Sequence, residues 1–141
     1  MKNSVLYLTI ICSALILASP CIAAKISWDN GEPGNLLWTE PNNWDSNTVP
    51  TENDRAHQDK AGFEDQIIID ADTNAVCTEL IVGKSNASGP CYLIMTGGTL
   101  DARTFSYNNK NWIGAWGDAN GIFEISGGDV TLEGSLIMGA E

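Results

Sequence analysis

Apolar and polar positions alternate with a two-residue period through the second half of the chain, and glycines interrupt the alternation at intervals. Leu93-Ile94-Met95-Thr96-Gly97-Gly98-Thr99-Leu100 returns as Phe123-Glu124-Ile125-Ser126-Gly127-Gly128-Asp129-Val130, a period of 30 residues. Odd positions pair Leu93 with Phe123 and Met95 with Ile125, whereas even ones pair Ile94 with Glu124 and Thr96 with Ser126. Strand periodicity therefore places Leu93, Met95, Phe123 and Ile125 inward, with the glycine pairs at corners. A second element alternates with the first: Leu80-Ile81-Val82-Gly83, Asn111-Trp112-Ile113-Gly114 and Leu136-Ile137-Met138-Gly139. Asn111 stands where the other copies carry leucine, and both an outward orientation and a hydrogen bond at a bend are open to it. The predicted order is short strand, glycine corner, longer strand, Gly-Gly corner, repeated. A unit of this size cannot bury its apolar face alone and must stack on a neighbour. Extra residues between Asp101 and Lys110 lengthen one corner, which is a natural place for a binding loop.

Upstream the pattern changes twice. Gln66-Ile67-Ile68-Ile69 and Glu79-Leu80-Ile81-Val82-Gly83 read as two strands separated by the polar turn Asp70-Ala71-Asp72-Thr73-Asn74. Lys25 to about Gly62 is dense in Trp, Asn, Pro and Gly, which predicts short strands and turns rather than helix. Ahead of it, Met1-Lys2, the apolar run Val5 to Leu17 and Ser19-Pro20-Cys21-Ile22-Ala23 have the layout of a secretory signal peptide cut after Ala23. Acylation of Cys21 is the weaker reading, because Pro20 occupies the position before it. The apolar run is too short to span a bilayer and no later segment is long enough, so no membrane span is expected after cleavage.

Composition sharpens the picture in two places. Cleavage leaves 118 residues with 6 basic and 18 acidic side chains, a balance that argues against nucleic acid or an anionic membrane surface as partner. Cys12 and Cys21 leave with the signal. Cys77 and Cys91 remain, either as a disulfide formed in an oxidising compartment or as two small buried hydrophobes. Their separation is about half a repeat, which does not set one thiol above the other.

Trp28, Gly31, Trp38, Asn43-Trp44, Pro50 and Asp54, followed by Leu80-Ile81-Val82-Gly83 and the Gly-Gly-x-Leu and Gly-Gly-x-Val repeats, resemble secreted bacterial proteins with autotransporter-like or pectin-lyase-like β-helix repeats, frequent in planctomycete-type bacteria. The resemblance covers nearly the whole mature chain. It implies an all-β fold, a right-handed parallel β-helix (solenoid) with a Trp-rich N-terminal cap, and an extracellular or cell-envelope location. The expected organisation is a signal peptide over 1–23, the cap over 24–62 and β-helix repeats over 63–141. After Leu136-Ile137-Met138 only Gly139-Ala140-Glu141 follow, with nothing to cap the last coil. The pattern therefore predicts the N-terminal part of a longer protein.

Candidate chemistry is sparse. Trp28, Trp38 and Trp44 are expected to pack the cap, whereas Trp112 and Trp116, flanking Gly114 beside the longest corner, are the candidates for ligand contact. Asp70, Asp72 and Asn74 open like a calcium loop, but Ala75 and Ile81 stand where such a loop needs glycine and glutamate. Calcium is thus a weak candidate, and no cofactor is expected. His57 lies in the polar stretch Asp54 to Asp59 with no motif nucleophile near it, and reads as a solvated loop histidine. Lyases on the implied fold pair carboxylate-bound calcium with an Arg or Lys base, for which Arg103 and Lys110 are the nearby cations. Asn86-Ala87-Ser88 fits a glycosylation sequon and reads as a loop. No catalytic residues are assigned. The expectation is a non-enzymatic structural or adhesive module whose partners are the remainder of its own polypeptide or envelope components. The alternative is a carbohydrate-binding or polysaccharide-cleaving β-helix protein with its decisive residues beyond Glu141.

Overall fold

The computed structural model describes residues 23–59, 66–84, 89–103, 110–117 and 119–139. The signal segment, the Asn86 sequon and positions 104–109 of the long corner lie outside the described residues. Nine strands are formed among the described residues: β1 (Ala24–Ser27), β2 (Asp54–Gln58), β3 (Gln66–Ile69), β4 (Asn74–Cys77), β5 (Glu79–Lys84), β6 (Cys91–Ala102), β7 (Lys110–Ala115), β8 (Gly121–Leu132) and β9 (Ser135–Met138). One 3₁₀ turn, Pro41–Asn43, is the only helical element among them. The fold is all-β.

Two sheets share the strands. The first runs β1-β2-β5-β7-β9, and in the second β3 and β4 lie against β6, which also pairs with β8. Every pairing between named strands is parallel. β3 takes the first half of β6 and β4 the second, while β8 follows β6 along its length. Leu93 pairs with Phe123 and Met95 with Ile125, the partners expected from the alternation. The register slips at Thr96, which meets Gly127 rather than Ser126. Gly98 and Gly128 have φ of 69° and 91° there, a left-handed conformation in which a side chain would clash with its own backbone.

Inward residues of both sheets meet in one core. Ile26, Ala56, Leu80 and Ile113 of the first sheet join Ile67, Leu93 and Met95 of the second. Trp28, Trp38 and Trp44 complete that core, packed edge to face with centroids 5.1 Å (Trp28–Trp44) and 5.0 Å (Trp38–Trp44) apart. The indole Nε1 of Trp44 donates to the Trp38 carbonyl at 2.9 Å. Beside them, Ile68 N donates to Leu36 O and Trp38 N to Ile68 O, so the segment 36–38 lies along the free edge of β3. Asn43, fully buried, holds the surrounding turns by accepting from Glu32 N at 2.8 Å and donating to the Asn35 carbonyl.

Burial is lost toward β8 and β9. Val82, Ile113 and Met138 occupy one row and are 0 %, 3 % and 74 % exposed. Met95 is buried, whereas Ile125, its partner and an expected inward residue, is 54 % exposed. The reason is positional: β8 and β9 are paired on one side only among the described strands.

Two further expectations change, and one alternative left open is resolved. β4 forms where no strand was read, because Asn74-Ala75-Val76-Cys77 continues a polar turn and lacks the run of large β-branched residues that marks β3. The stretch around His57 is strand β2, not a loop, and His57 is buried. Asn111 does not turn outward; it is fully buried and hydrogen-bonded, though within β7 rather than at a bend: its Oδ1 accepts from Leu80 N at 2.9 Å, and its Nδ2 donates to Glu133 O at 3.2 Å.

Candidate functional site

The face of the first sheet turned away from the core carries its own pattern. Because inward and outward side chains alternate, the inward row Ile26, Ala56, Leu80, Asn111 is flanked by an outward row Ser27, His57, Ile81, Trp112, Ile137, one residue on each of the five strands in register. A second outward row begins Lys25, Arg55, Glu79. This outer face gathers a histidine–carboxylate pair at one side and an aromatic–lysine cluster at the other.

His57 Nε2 lies 3.0 Å from Glu79 Oε1, with both side chains buried. The contact is diagonal between neighbouring parallel strands, within reach of long side chains on one face. His57 Nδ1 and, one strand over, Ser27 Oγ are buried without a hydrogen-bond partner. Ser27 and His57 thus share one row with Glu79 diagonal to the ring, but the serine makes no hydrogen bond to the ring. At 2 % and 4 % exposure, neither Ser27 nor His57 is presented to a substrate, and the arrangement is a buried pair inside a sheet. Beside it, Asp59 is half-buried and ion-paired to Lys25. Burial works to raise the Asp59 pKa, but the Lys25 hydrogen bond and charge, aided by His57 and Lys84, outweigh it and hold this carboxyl below its ordinary value.

The second cluster is built on β7 and the turn after it. Trp112 and Trp116 stack with centroids 5.3 Å apart at 30°. Trp112 is nearly buried, packed with Ile81 and Ile137, and Trp116 is 39 % exposed. Lys110 Nζ lies 5.1 Å from the Trp112 ring centre and Lys84 Nζ 5.3 Å from that of Trp116. Trp116 has φ of 64°, a conformation costing a bulky residue about 1–2 kcal/mol. The other non-glycine residues with positive φ, Asn30 and Asn47, are of the type that tolerates it. Stacking on Trp112 returns about 0.5–1.5 kcal/mol, comparable to the strain.

The remaining candidates are dispersed. Cys77 and Cys91 are buried and not joined to each other, at opposite ends of β6, Cys77 facing Ala102 across the ladder and Cys91 opening β6 itself. Their half-repeat spacing separates them along the ladder, and a disulfide is not formed. Burial drives the Cys77 thiol far above its ordinary pKa, which makes its thiolate inaccessible at neutral pH. Asp70 is engaged in its own turn, accepting from Asp72 N at 3.2 Å and Thr73 Oγ1 at 2.7 Å, and Asn74 Oδ1 accepts from Thr99 Oγ1 at 2.9 Å. Among the described residues no group of His, Cys, Asp or Glu is placed to hold a metal ion, and no helix is long and apolar enough to cross a membrane. Arg103 is exposed and ion-paired to Asp101, whose hydrogen bond and charge raise the guanidinium pKa further. Lys110 is engaged with Trp112 on the first sheet.

Sequence reasoning singled out Trp112 and Trp116 but missed Lys84 and the His57–Glu79 pair. Alternation alone would have put His57 on the outward row, since Ala56 is the only apolar residue of β2. Comparison of the chain with protein-family models, curated proteins and solved structures finds no match in any of the three.

Proposed function

We propose that the chain is a right-handed parallel β-helix and serves, after export, as a structural or adhesive module of a larger extracellular or cell-envelope protein of the autotransporter-like or pectin-lyase-like kind. Two features support the helical reading. The chain crosses between the two sheets as it advances, and it returns to each in parallel register. Export rests on the N-terminal pattern; N-terminal sequencing of protein recovered from the medium is expected to begin at Ala24, and retention of Met1 in recovered protein refutes it.

The observation that carries the module reading is the unequal treatment of the two ends. Beyond β3 the ladder is covered by the segment 36–38 and the tryptophan cluster. At β8 and β9 it presents Ile125, Leu136 and Met138 to solvent beside edges that pair with no further strand among the described residues. An apolar, flat strand edge is a template for further strands, and the occupant proposed is a further stretch of parallel coil from the same polypeptide or an envelope component. Without that cover the edge should pair with itself. Sedimentation velocity of the protein is therefore expected to show concentration-dependent association that Ile125→Lys and Met138→Lys both suppress. A monomer at all concentrations, or association indifferent to both substitutions, overturns the reading.

A further inference from the structure

We propose that the Asn120–Gly121 link is a self-modifying site, at which the Gly121 nitrogen closes on the Asn120 side chain, expels ammonia and loosens the start of β8. The fold holds the chain's other Asn–Gly link, Asn30–Gly31, against the same reaction. The site goes beyond the module role and does not depend on it.

The chemistry needs water as its sole co-reactant. The Gly121 nitrogen loses its proton to hydroxide and bonds to Asn120 Cγ, with no Cβ of its own to crowd the approach. The Cγ–Nδ2 bond breaks and Nδ2 leaves as ammonia, taking a proton from water. Water then opens the resulting cyclic imide at either carbonyl. One opening leaves aspartate and the other isoaspartate, in which the main chain runs through Cβ and is one carbon longer. No electrons are transferred.

Three observations point to Asn120. Its side chain is exposed and makes no hydrogen bond to a described residue. Its carbonyl accepts from Cys91 N at 2.8 Å, and because the C=O and N–H of one trans peptide point in opposite directions, the Gly121 N–H is turned away from β6. On that side β8 pairs with no further strand among the described residues, so the proton is left to solvent rather than to a ladder. The third observation concerns the glycine. A Cβ on Gly121 would lie 2.0 Å from the Val82 carbonyl oxygen and 2.4 Å from Gly114 N, so the close approach of β5 and β7 demands glycine where glycine also makes the link labile.

Asn30–Gly31 is built the other way. Asp29 N and Asn30 N both donate to the Asn43 carbonyl, at 2.8 and 3.3 Å, and Glu32 N donates to Asn43 Oδ1 at 2.8 Å. Asn43 is fully buried. Gly31 is exposed, but a Cβ on it would lie 2.2 Å from the Asn42 carbonyl oxygen, so the link is packed against that turn. Rotating it into a ring breaks several bonds to a buried anchor, whereas rotating Asn120–Gly121 breaks one. The consequence at Asn120 is local. Isoaspartate sets a carboxylate where Cys91 N finds its carbonyl, and the longer main chain displaces the entry to β8, while the rest of the β6–β8 ladder keeps its register.

The test ages the intact protein in mildly alkaline buffer and follows amide-to-acid conversion at both links by peptide mapping with mass spectrometry. Expected is conversion at Asn120 at least about tenfold faster than at Asn30 in the folded protein, with the two rates drawing within about threefold in concentrated urea, where no fold protects either. Asn120→Gln, at an exposed and unbonded side chain, should abolish conversion there and shift the thermal midpoint by no more than about 2 °C. The isoaspartate form, separated from fresh protein, should exchange the Cys91 amide at least about tenfold faster while the far half of β6 keeps its protection. Equal rates at the two links in the folded protein, a ratio that urea leaves unchanged, a markedly destabilised Asn120→Gln, or unaltered Cys91 exchange in the isoaspartate form overturns the proposal.

Discussion

Replacing Asn111 by leucine puts the same side chain at one register position of three successive strands, between Leu80 and Leu136. That is the most regular apolar column the chain allows, and it should nevertheless weaken the protein. Asn111 Oδ1 is the acceptor for the buried Leu80 N–H at 2.9 Å. Without it that donor is left unpaired, at about 1–3 kcal/mol. The second bond, from Nδ2 to the Glu133 carbonyl at 3.2 Å, lies nearer the surface. There water takes over part of the role, so its loss costs about 1 kcal/mol or less. Leucine gains apolar burial in return, but Leu136 in the next row is 42 % exposed, so the gain stays well below the ~1.5–3 kcal/mol of a fully buried leucine. The net is a loss of about 1–3 kcal/mol, read as a lower urea midpoint at unchanged m-value. Overpacking would also lower stability, and Asn111→Asp separates the causes. The aspartate retains an acceptor for Leu80 N–H but sets its second oxygen against a carbonyl unless protonated. Its folded-state pKa is therefore raised, the folded protein holds the proton more tightly than the unfolded one, and stability falls as pH rises through the carboxyl range. A leucine variant as stable as the parent, or an aspartate variant with no added pH dependence, would show that the two hydrogen bonds do not hold the rows together.

Two other outcomes follow from the same packing. A Cβ on Gly98, at φ of 69°, would lie 2.2 Å from the carbonyl oxygens of both Asp70 and Thr73; Gly98→Ala should lose about 2–5 kcal/mol, from left-handed strain and overpacking together, and about 10 °C or more in thermal midpoint. Gly34, with open space around it, is the control, where alanine is neutral or stabilising by less than about 1 kcal/mol. For Cys77 the sign is set by burial: its folded pKa is raised, so the unfolded chain releases this proton first and stability declines as pH rises above the ordinary thiol value of about 8.5, by up to ~1.4 kcal/mol per pH unit. Cys77→Ala should remove that part of the alkaline slope, and an identical slope in parent and variant refutes the assignment.

How much of this was legible along the chain depends on how far each feature is local. The pairing of Leu93 with Phe123 and Met95 with Ile125 could be read directly, because strand period and glycine spacing are linear properties. Ile125 shows where that reading stops: alternation says which side a residue takes, while burial depends on whether another strand lies beyond. His57 was misread because β2 has a single small apolar residue, Ala56, facing the core, and the pairing that makes it a strand comes from β1 and β5. Trp112 and Trp116 could be picked out as a pair, yet their lysines are supplied by different strands, Lys110 from β7 and Lys84 from β5. Only the register reveals that meeting.

Asn111 and Trp116 depart from local preference in opposite ways. At Asn111 a polar side chain replaces leucine inside the core, and the structure accounts for it fully: one donor below and one acceptor above are satisfied by the same amide. At Trp116 a bulky side chain occupies a left-handed position, and the stack on Trp112 together with the Lys84 ammonium over the ring returns free energy comparable to that strain. A departure that internal contacts repay is a folding device. By that measure both are folding devices, and Trp116→Asn, which trades the stack for relief of strain, should move the thermal midpoint by only a few degrees. Association and this stack belong to separate surfaces, so Met138→Lys should suppress self-association in sedimentation velocity while Trp116→Asn leaves it intact.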